Sequence, residues 1–205
     1  VNNKPKYRVM VKVRNAVIVS AGVIGTPTIL IKSGLNTRFG RVGKNLRIHP
    51  GIGVVGVFEE EVNPWYGAYQ GWGSKELINR GIMLETIWAP PAIISVRLPG
   101  FGKRFSAALE KLKHITAIAI TTLGRKSTGR VIPKRGWDPI IKFHMSPDDV
   151  LDLQQGAFLA ARVLFAAGAK EVITGIYGLP EVLKDERDAR KIVECRLKKQ
   201  SLLIF

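Results

Sequence analysis

The sequence predicts an α+β chain of mixed α/β character, on three observations. The first forty residues read strand, turn, strand, Gly-containing turn, short helix. From Gly51 to Met145 run several short stretches rich in Val, Ile and Thr, the composition of strands on a half-buried pleated surface. A long helix then opens at Ser146-Pro147, and a charged amphipathic one follows. The expected organisation is an incomplete α/β unit at residues 1–50. An antiparallel-sheet domain with helices on one face is expected at residues 51–205.

In order along the chain, residues 7–13 place apolar side chains at 7, 9, 11 and 13 and basic ones at 8 and 12, with Met10 the exception. That is strand alternation. Asn15 marks a turn. Residues 16–20 form an apolar run of the kind buried on both faces of a sheet, and Ala21-Gly22 breaks it. Thr26-Pro27 reads as a helix start, with Thr26 capping and Pro27 in the first helical position. This helix runs to about Ser33 and stops at Gly34. Residues 41–50 are a loop and 51–58 a strand rich in Gly and Val. Between Asn63 and Gly73, Trp65, Tyr66, Tyr69 and Trp72 stand among three glycines. Such a loop either lines an apolar pocket or is pinned down by its own aromatics.

Residues 81–88 and 92–98 read as strands separated by Pro90-Pro91, 105–113 as a helix and 115–123 as a strand. Residues 129–133 and 139–145 read as a hairpin. The clearest helix starts at residue 147: Ser146 caps it, Pro147 takes its first position, and Asp148 and Asp149 face the positive end of the helix dipole. Val150, Leu153, Ala157, Ala160, Ala161 and Leu164 form its apolar stripe, and Gly168 closes it. A strand at 171–176, a helix at 181–199 and a strand from Ser201 to Phe205 complete the reading.

Composition narrows the function. The 205 residues suffice for one large or two small domains, and 46% hydrophobic with 23% charged residues is the balance of a packed core. Lys and Arg number 32 against 16 Asp and Glu, a net charge of +16. That excess is one mark of a nucleic-acid or anionic-surface partner. Yet no block of five or six like charges occurs, nor the alternation of basic and aromatic residues that stacks bases. No nucleic-acid partner is therefore expected; a diffuse basic surface, or one facing acidic segments supplied from elsewhere, fits better. No stretch reaches the roughly 18 uncharged apolar residues of a membrane span, and the polar opening 1–5 has no apolar run behind it. Cys195 stands alone, as suits a reducing compartment such as the cytoplasm. The chain opens on Val1 rather than Met, which points to processing or to a piece of a longer protein. His49, His114 and His144 show no ligand spacing with acids or Cys195, so no metal is expected.

Three segments carry a resemblance. S-A-G-V-I-G-T-P-T-I-L-I-K-S-G-L, from Ser20 to Leu35, resembles the second signature of the glucose-methanol-choline (GMC) oxidoreductases. Val23 and Asn36 depart from it, standing where a smaller residue and Gly are usual. V-G-K-N-L-R-I-H-P-G at 42–51 resembles the family's Gly-Lys/Arg-Asn-Leu-x-x-His-Pro segment. I-K-F-H-M-S-P-D-D-V, within 140–150, resembles a strand-to-helix entry in its carboxy-terminal region, continued by L-A-A-R-V-L-F-A-A-G-A. The aromatic loop and the A-P-P segment look most like the long-chain-alcohol-oxidase-like branch.

The resemblance implies an FAD enzyme that oxidises a CH–OH group of a small, apolar alcohol by hydride transfer to flavin. It makes residues 1–50 the end of a Rossmann-like FAD-binding domain and 51–205 the substrate domain. It places Ser20, Ala21 and Gly22 at the cofactor, with Asn45 and His49 nearby. The family's catalytic His lies in a His-Pro-Met-Gly-type motif after a strand like that at 201–205, so it is expected beyond Phe205 and no catalytic residue is expected within the chain. Nothing before Ser20 supplies the Gly-x-Gly-x-x-Gly phosphate loop. The isolated chain is therefore expected to be inactive, with flanking segments or a partner chain contributing both parts. A non-catalytic subunit of a split flavoenzyme, or a basic module peripheral to an anionic surface, are the readings beside it.

Overall fold

The computed structural model describes residues 7, 9–35, 40–98, 100–136 and 138–202. In chain order they form α1 (Gly22–Lys32), β1 (Lys44–Leu46), β2 (Gly51–Val57), β3 (Gly73–Ser74), β4 (Ile82–Ile87), α2 (Pro91–Ile94), α3 (Lys103–Glu110) and β5 (Ile115–Thr122). Then come β6 (Thr128–Ile132), β7 (Ile140–His144), α4 (Pro147–Ala166), β8 (Glu171–Ile173), β9 (Val182–Leu183) and α5 (Glu186–Glu194). The chain divides into two units, residues 1–46 with 130–142, and residues 47–129 with 143–205.

The second unit is built on a six-stranded sheet in the order β3-β4-β5-β2-β8-β9, antiparallel throughout. Ile52 pairs with Ile120 and Leu84 with Ile120, so the strands align their even-numbered residues. Because successive strand side chains point to opposite faces, Ile52, Val54, Ile82, Ile118, Ile120 and Val172 form one core with α4 and α5. Val55, Val57, Ile87, Ile115, Ala117 and Ile173 form a second core on the other face, with Trp65, Trp88, Ile94, Leu98 and Leu109. The α+β architecture read from the sequence is thus present. The two long helices share one face, and the short α2 and α3 pack on the other.

Local chemistry sets α4. The Ser146 hydroxyl accepts the Asp149 N–H at 3.1 Å, Pro147 takes the first turn, and Leu153, Ala157, Ala160, Ala161 and Leu164 are buried as the stripe requires. The helix lies close on the sheet at Gly156, where a Cβ would stand 2.2 Å from the Cγ2 of Ile120. Asp185 caps α5 by accepting the Asp188 N–H at 2.8 Å, and Ala189 and Ile192 are buried. The Gln154 amide of α4 donates to the carbonyls of Ile192 and Cys195, satisfying the end of α5.

The first unit holds α1 and the three-stranded sheet β1-β6-β7, to which it contributes residues 44–46, 130–132 and 140–142. The expected hairpin of 129–133 and 139–145 is β6 and β7. α1 ends as expected: the N–H groups of Gly34 and Leu35 reach back to Ile31 O and Leu30 O at 3.1 and 2.9 Å. Its start differs from the reading. The helix begins at Gly22, so Pro27 sits inside it and Thr26 does not cap; the Thr26 hydroxyl instead accepts the Ala21 N–H at 3.1 Å. Pro27 removes only one helical hydrogen bond there, and the Thr28 hydroxyl bonds the Ile24 carbonyl at 2.7 Å.

Four other readings are corrected. The described residues of 7–20 form no strand: the alternation at 7–13 and the apolar run at 16–20 mark surfaces fit for a sheet, but among the described residues no strand pairs with them. Val9, Met10, Val11, Val17 and Ile18 stand exposed as a result. Residues 92–97 are helical and only Leu98 is extended: Pro91 in the first position of α2 lets the Ile93 N–H bond Pro90 O at 2.8 Å. The last helix starts at Glu186, after β9 and its Asp185 cap, and ends at Glu194. Ser201 closes a short 3-10 turn, Lys199–Ser201; residues 203–205 of the expected last strand lie outside the described residues.

Candidate functional site

Ser20, Ala21 and Gly22 are the turn that leads into α1. Gly22 has a φ of +69°, and among the described residues no heavy atom beyond its chain neighbours and its own helix backbone lies within 4 Å of the place a Cβ would occupy. That combination needs glycine for its backbone and leaves the turn open to an approaching molecule. Asn45, in β1 of the same unit, is exposed and also left-handed, at a φ of 59°.

His49 belongs to the second unit. Its loop is clipped to the end of β5. The Thr122 N–H bonds Pro50 O at 3.1 Å, and the Arg47 guanidinium donates to Gly124 O at 3.2 Å and to Arg125 O. His49 thereby joins Gly81, Met83, Glu85, Thr121 and Thr122 around a cavity of about 260 Å³. Thr122 is 2% exposed, and its hydroxyl has no hydrogen-bond partner among the described residues. A buried hydroxyl without a partner is costly; this one shares the sheet face of Ile82 and Ile120, opposite that of Met83, Glu85 and Thr121. Imidazole, carboxylate and hydroxyl together can hold a small hydroxylated molecule. Sequence reasoning missed Glu85 and Thr122, the latter taken only as part of an apolar strand.

The other two histidines stand apart. His114 bonds the Glu60 carbonyl through Nδ1 at 3.0 Å, and His144 is exposed at the end of β7. Among the described residues no group of three or more His, Cys, Asp or Glu could hold a metal ion, and no helix is long and apolar enough to cross a membrane. G-I-G-V-V-G at 51–56 spells Gly-x-Gly-x-x-Gly, but it forms β2, paired on both sides, and leads into no helix. Gly56 serves packing there: a Cβ would meet Leu164 Cδ2 at 2.9 Å.

The charge is unevenly divided. The first unit has thirteen Lys and Arg and one acid, Asp138, whereas the second holds fifteen of the sixteen acids. Ion pairs such as Arg162–Glu186, Lys126–Asp148 and Arg104–Glu181 lie in the second unit. Like charges at this density repel, and about 0.1 M salt screens them beyond about 10 Å. The melting temperature is expected to rise by several degrees between about 0.02 and 0.5 M sodium chloride. A fall would mean that the ion pairs outweigh the repulsion.

Residues 1–51 match the family described as GMC oxidoreductase, a range that includes Ser20, Ala21, Gly22, Asn45 and His49. The chain is related to the GMC oxidoreductases. An uncharacterized GMC-type oxidoreductase of Mycobacterium tuberculosis is 33% identical over 167 residues, 81% of this chain and 26% of that protein. One of Sinorhizobium fredii is 28% identical over 79% of this chain and 31% of its own length. A long-chain-alcohol oxidase of Arabidopsis thaliana is 29% identical over 77% of this chain and 23% of its own. The chain thus spans about a quarter to a third of the length of these GMC relatives.

Proposed function

We propose that this chain is part of an FAD-dependent oxidoreductase that oxidises a CH–OH group of an alcohol by hydride transfer to flavin. The observation that carries the reading is the family match over residues 1–51, which contains the open glycine turn at Gly22. The turn fits a nucleotide cofactor: small side chains and free space at Gly22 let backbone come close to it. Ser20, Ala21 and Gly22 would hold the cofactor, with Asn45 and His49 near it. Flavin supplies the acceptor for hydride when bound. This chain's own part is to position that group and the alcohol. Glu85 offers a hydrogen bond to a hydroxyl in the His49 cavity, while Met83, Leu123 and Ile78 give it an apolar side. The proton acceptor for the alcohol is assigned to no residue of this chain.

The test has two arms. The 205-residue chain, incubated with excess FAD and desalted, is expected to retain no flavin absorbance, because among the described residues no strand-to-helix glycine loop supplies a pyrophosphate site. In a longer form that retains flavin, Gly22→Val should lower the flavin content. Gly22→Asn, which tolerates a left-handed backbone, should do the same if the cofactor passes there. Full flavin content in the Asn variant would reduce the effect of Val to backbone strain and remove the turn from the site. A split enzyme is the companion reading; copurification of a flavin-binding partner chain would favour it.

A further inference from the structure

The layer that covers the second core is apolar on its outer side as well as its inner one. Three segments make it: the aromatic loop at 62–73, α2 with the turn that follows it, and α3. Backbone bonds knit them together. The N–H groups of Val62 and Asn63 donate to Lys113 O, just past α3, at 2.8 and 3.0 Å. Trp72 O accepts the Thr86 N–H at 2.9 Å, and Tyr69 O accepts the N–H of Trp88, just ahead of α2, at 3.0 Å. Inward, Trp65, Trp88, Ile94, Leu98 and Leu109 fill the core. Outward, Tyr66, Tyr69 and Trp72 rim a cavity of about 340 Å³. Tyr66 is 91%, Trp72 83% and Phe101 91% exposed, so these rings do not serve the core.

The helical segment 91–97 shares this character. Ile94 packs on the core, while Ile93 and Val96, three residues apart, stand exposed on the other side. The charge around it has one sign. Residues 62–73 carry no charged side chain, and residues 89–109 carry Arg97, Lys103 and Arg104 and no acid. Lys103 opens α3, is exposed, and makes no ion pair among the described residues. The acids at the edges lie apart or are matched. Glu110 closes α3 about 10 Å along the axis from Lys103, Glu61 pairs with Lys113, and Glu181 pairs with Arg104. Exposed Trp and Tyr rings with aliphatics and basic groups suit a bilayer interface, where the apolar bodies enter the acyl boundary and the polar tips stay with the headgroups. A surface made to be covered by another protein is instead depleted of Lys.

We propose that this outer face seats the protein on an anionic lipid bilayer, with Tyr66, Trp72, Ile93, Val96 and Phe101 entering the headgroup boundary and Lys103 meeting lipid phosphate. The assignment does not depend on the flavin reading, since it is tested without flavin. The probe is a vesicle of equal parts phosphatidylcholine and phosphatidylserine, with bound protein read by sedimentation. Because a net charge of +16 adsorbs to such a vesicle by itself, the deciding variants keep the charge. Trp72→Ser combined with Phe101→Ser should weaken binding at least about tenfold, through the apolar area no longer inserted. Val163→Ser combined with Tyr177→Ser should leave it unchanged, because these exposed residues lie on the side of the first core. Lys103→Gln should weaken it about fivefold. Circular dichroism melting checks that each variant keeps the fold. Unchanged binding in the Trp72 and Phe101 variant would reduce the attachment to diffuse charge and overturn the assignment. An equal loss in the Val163 and Tyr177 variant would overturn it by showing that no face is preferred. A dimer in solution that the Trp72 and Phe101 substitutions dissolve would overturn it too, giving the face to a second copy.

Discussion

Asp149→Ala is expected to destabilise the second unit by about 3 kcal/mol at neutral pH, read by urea unfolding followed by circular dichroism. Asp149 is 2% exposed, and one of its oxygens, Oδ2, gathers three donors: the Ser127 N–H at 2.9 Å, the Ser127 hydroxyl and the Ser146 hydroxyl at 2.9 Å. The Ser146 N–H in turn donates to the Ser127 hydroxyl at 2.9 Å. The cluster joins the N-terminus of α4 to the loop that precedes β6. Removing the carboxylate leaves buried donors without an acceptor, each costing about 1–3 kcal/mol. Ser146→Ala, which loses the cap and one donor together, should cost about 1 kcal/mol.

The same site has a pH signature. Burial works against the Asp149 charge, but the hydrogen bonds from Ser127 and Ser146 outweigh it and hold the carboxyl below its ordinary value. A group depressed in the folded state contributes stability above its unfolded pKa, near 4, and that stability is lost as pH falls through the lower folded value. Asp152, one turn further along α4, is shifted upward by burial and by the Asp149 charge. It therefore opposes folding once it ionises at neutral pH. Asp149→Ala should flatten the loss of stability below about pH 4 and relieve Asp152. A variant as acid-sensitive as the parent would mean that other carboxylates govern the transition.

The legibility of the fold follows from where its causes lie. α4 was readable because its cap, its proline, its first-turn acids and its stripe all act within a few residues. β4 and β5 were readable because their apolar and β-branched residues persist over six to eight positions. Residues 7–20 misled because the alternation at 7–13 and the apolar run at 16–20 each describe one side of a pairing and say nothing of the partner. Residues 92–98 misled because β-branched Ile and Val imitate a strand, while Pro91 had already set the chain in a helical turn. The site divides in the same way. Ser20, Ala21, Gly22, Asn45 and His49 were nameable from motif resemblance. The left-handed backbone of Asn45 was invisible, since its φ is imposed by the surrounding turn. Thr122 and Glu85 join His49 only through the register of β4, β5 and the loop before β2, which no local pattern encodes. The aromatic loop lay between: its composition announced either a pocket or a self-pinned loop, and its rings divide between the two roles.

Gly156→Val is expected to cost at least about 3 kcal/mol, the larger end of overpacking effects. A Cβ at this position would stand 2.2 Å from Ile120 Cγ2 and 3.2 Å from Ile82 Cγ2. Both neighbours are fully buried, and β-branched side chains have little freedom at χ1, so neither can swing aside. Relief requires α4 to lift from the sheet, which would open the contacts of Leu153, Ala157 and Ala160 with it. Gly156→Ala is the milder case: replacing Gly in a helix returns about 1 kcal/mol of propensity, against a clash of about 1–3 kcal/mol, so a net loss of about 1 kcal/mol is expected. Ile120→Ala removes the clashing Cγ2 and alone should cost about 3 kcal/mol through the cavity it leaves. Combined with Gly156→Ala, it should fall short of additivity by about 1 kcal/mol, because the new methyl enters the vacated space. Strict additivity in that double-mutant cycle would show that Gly156 is not held to glycine by its approach to Ile120.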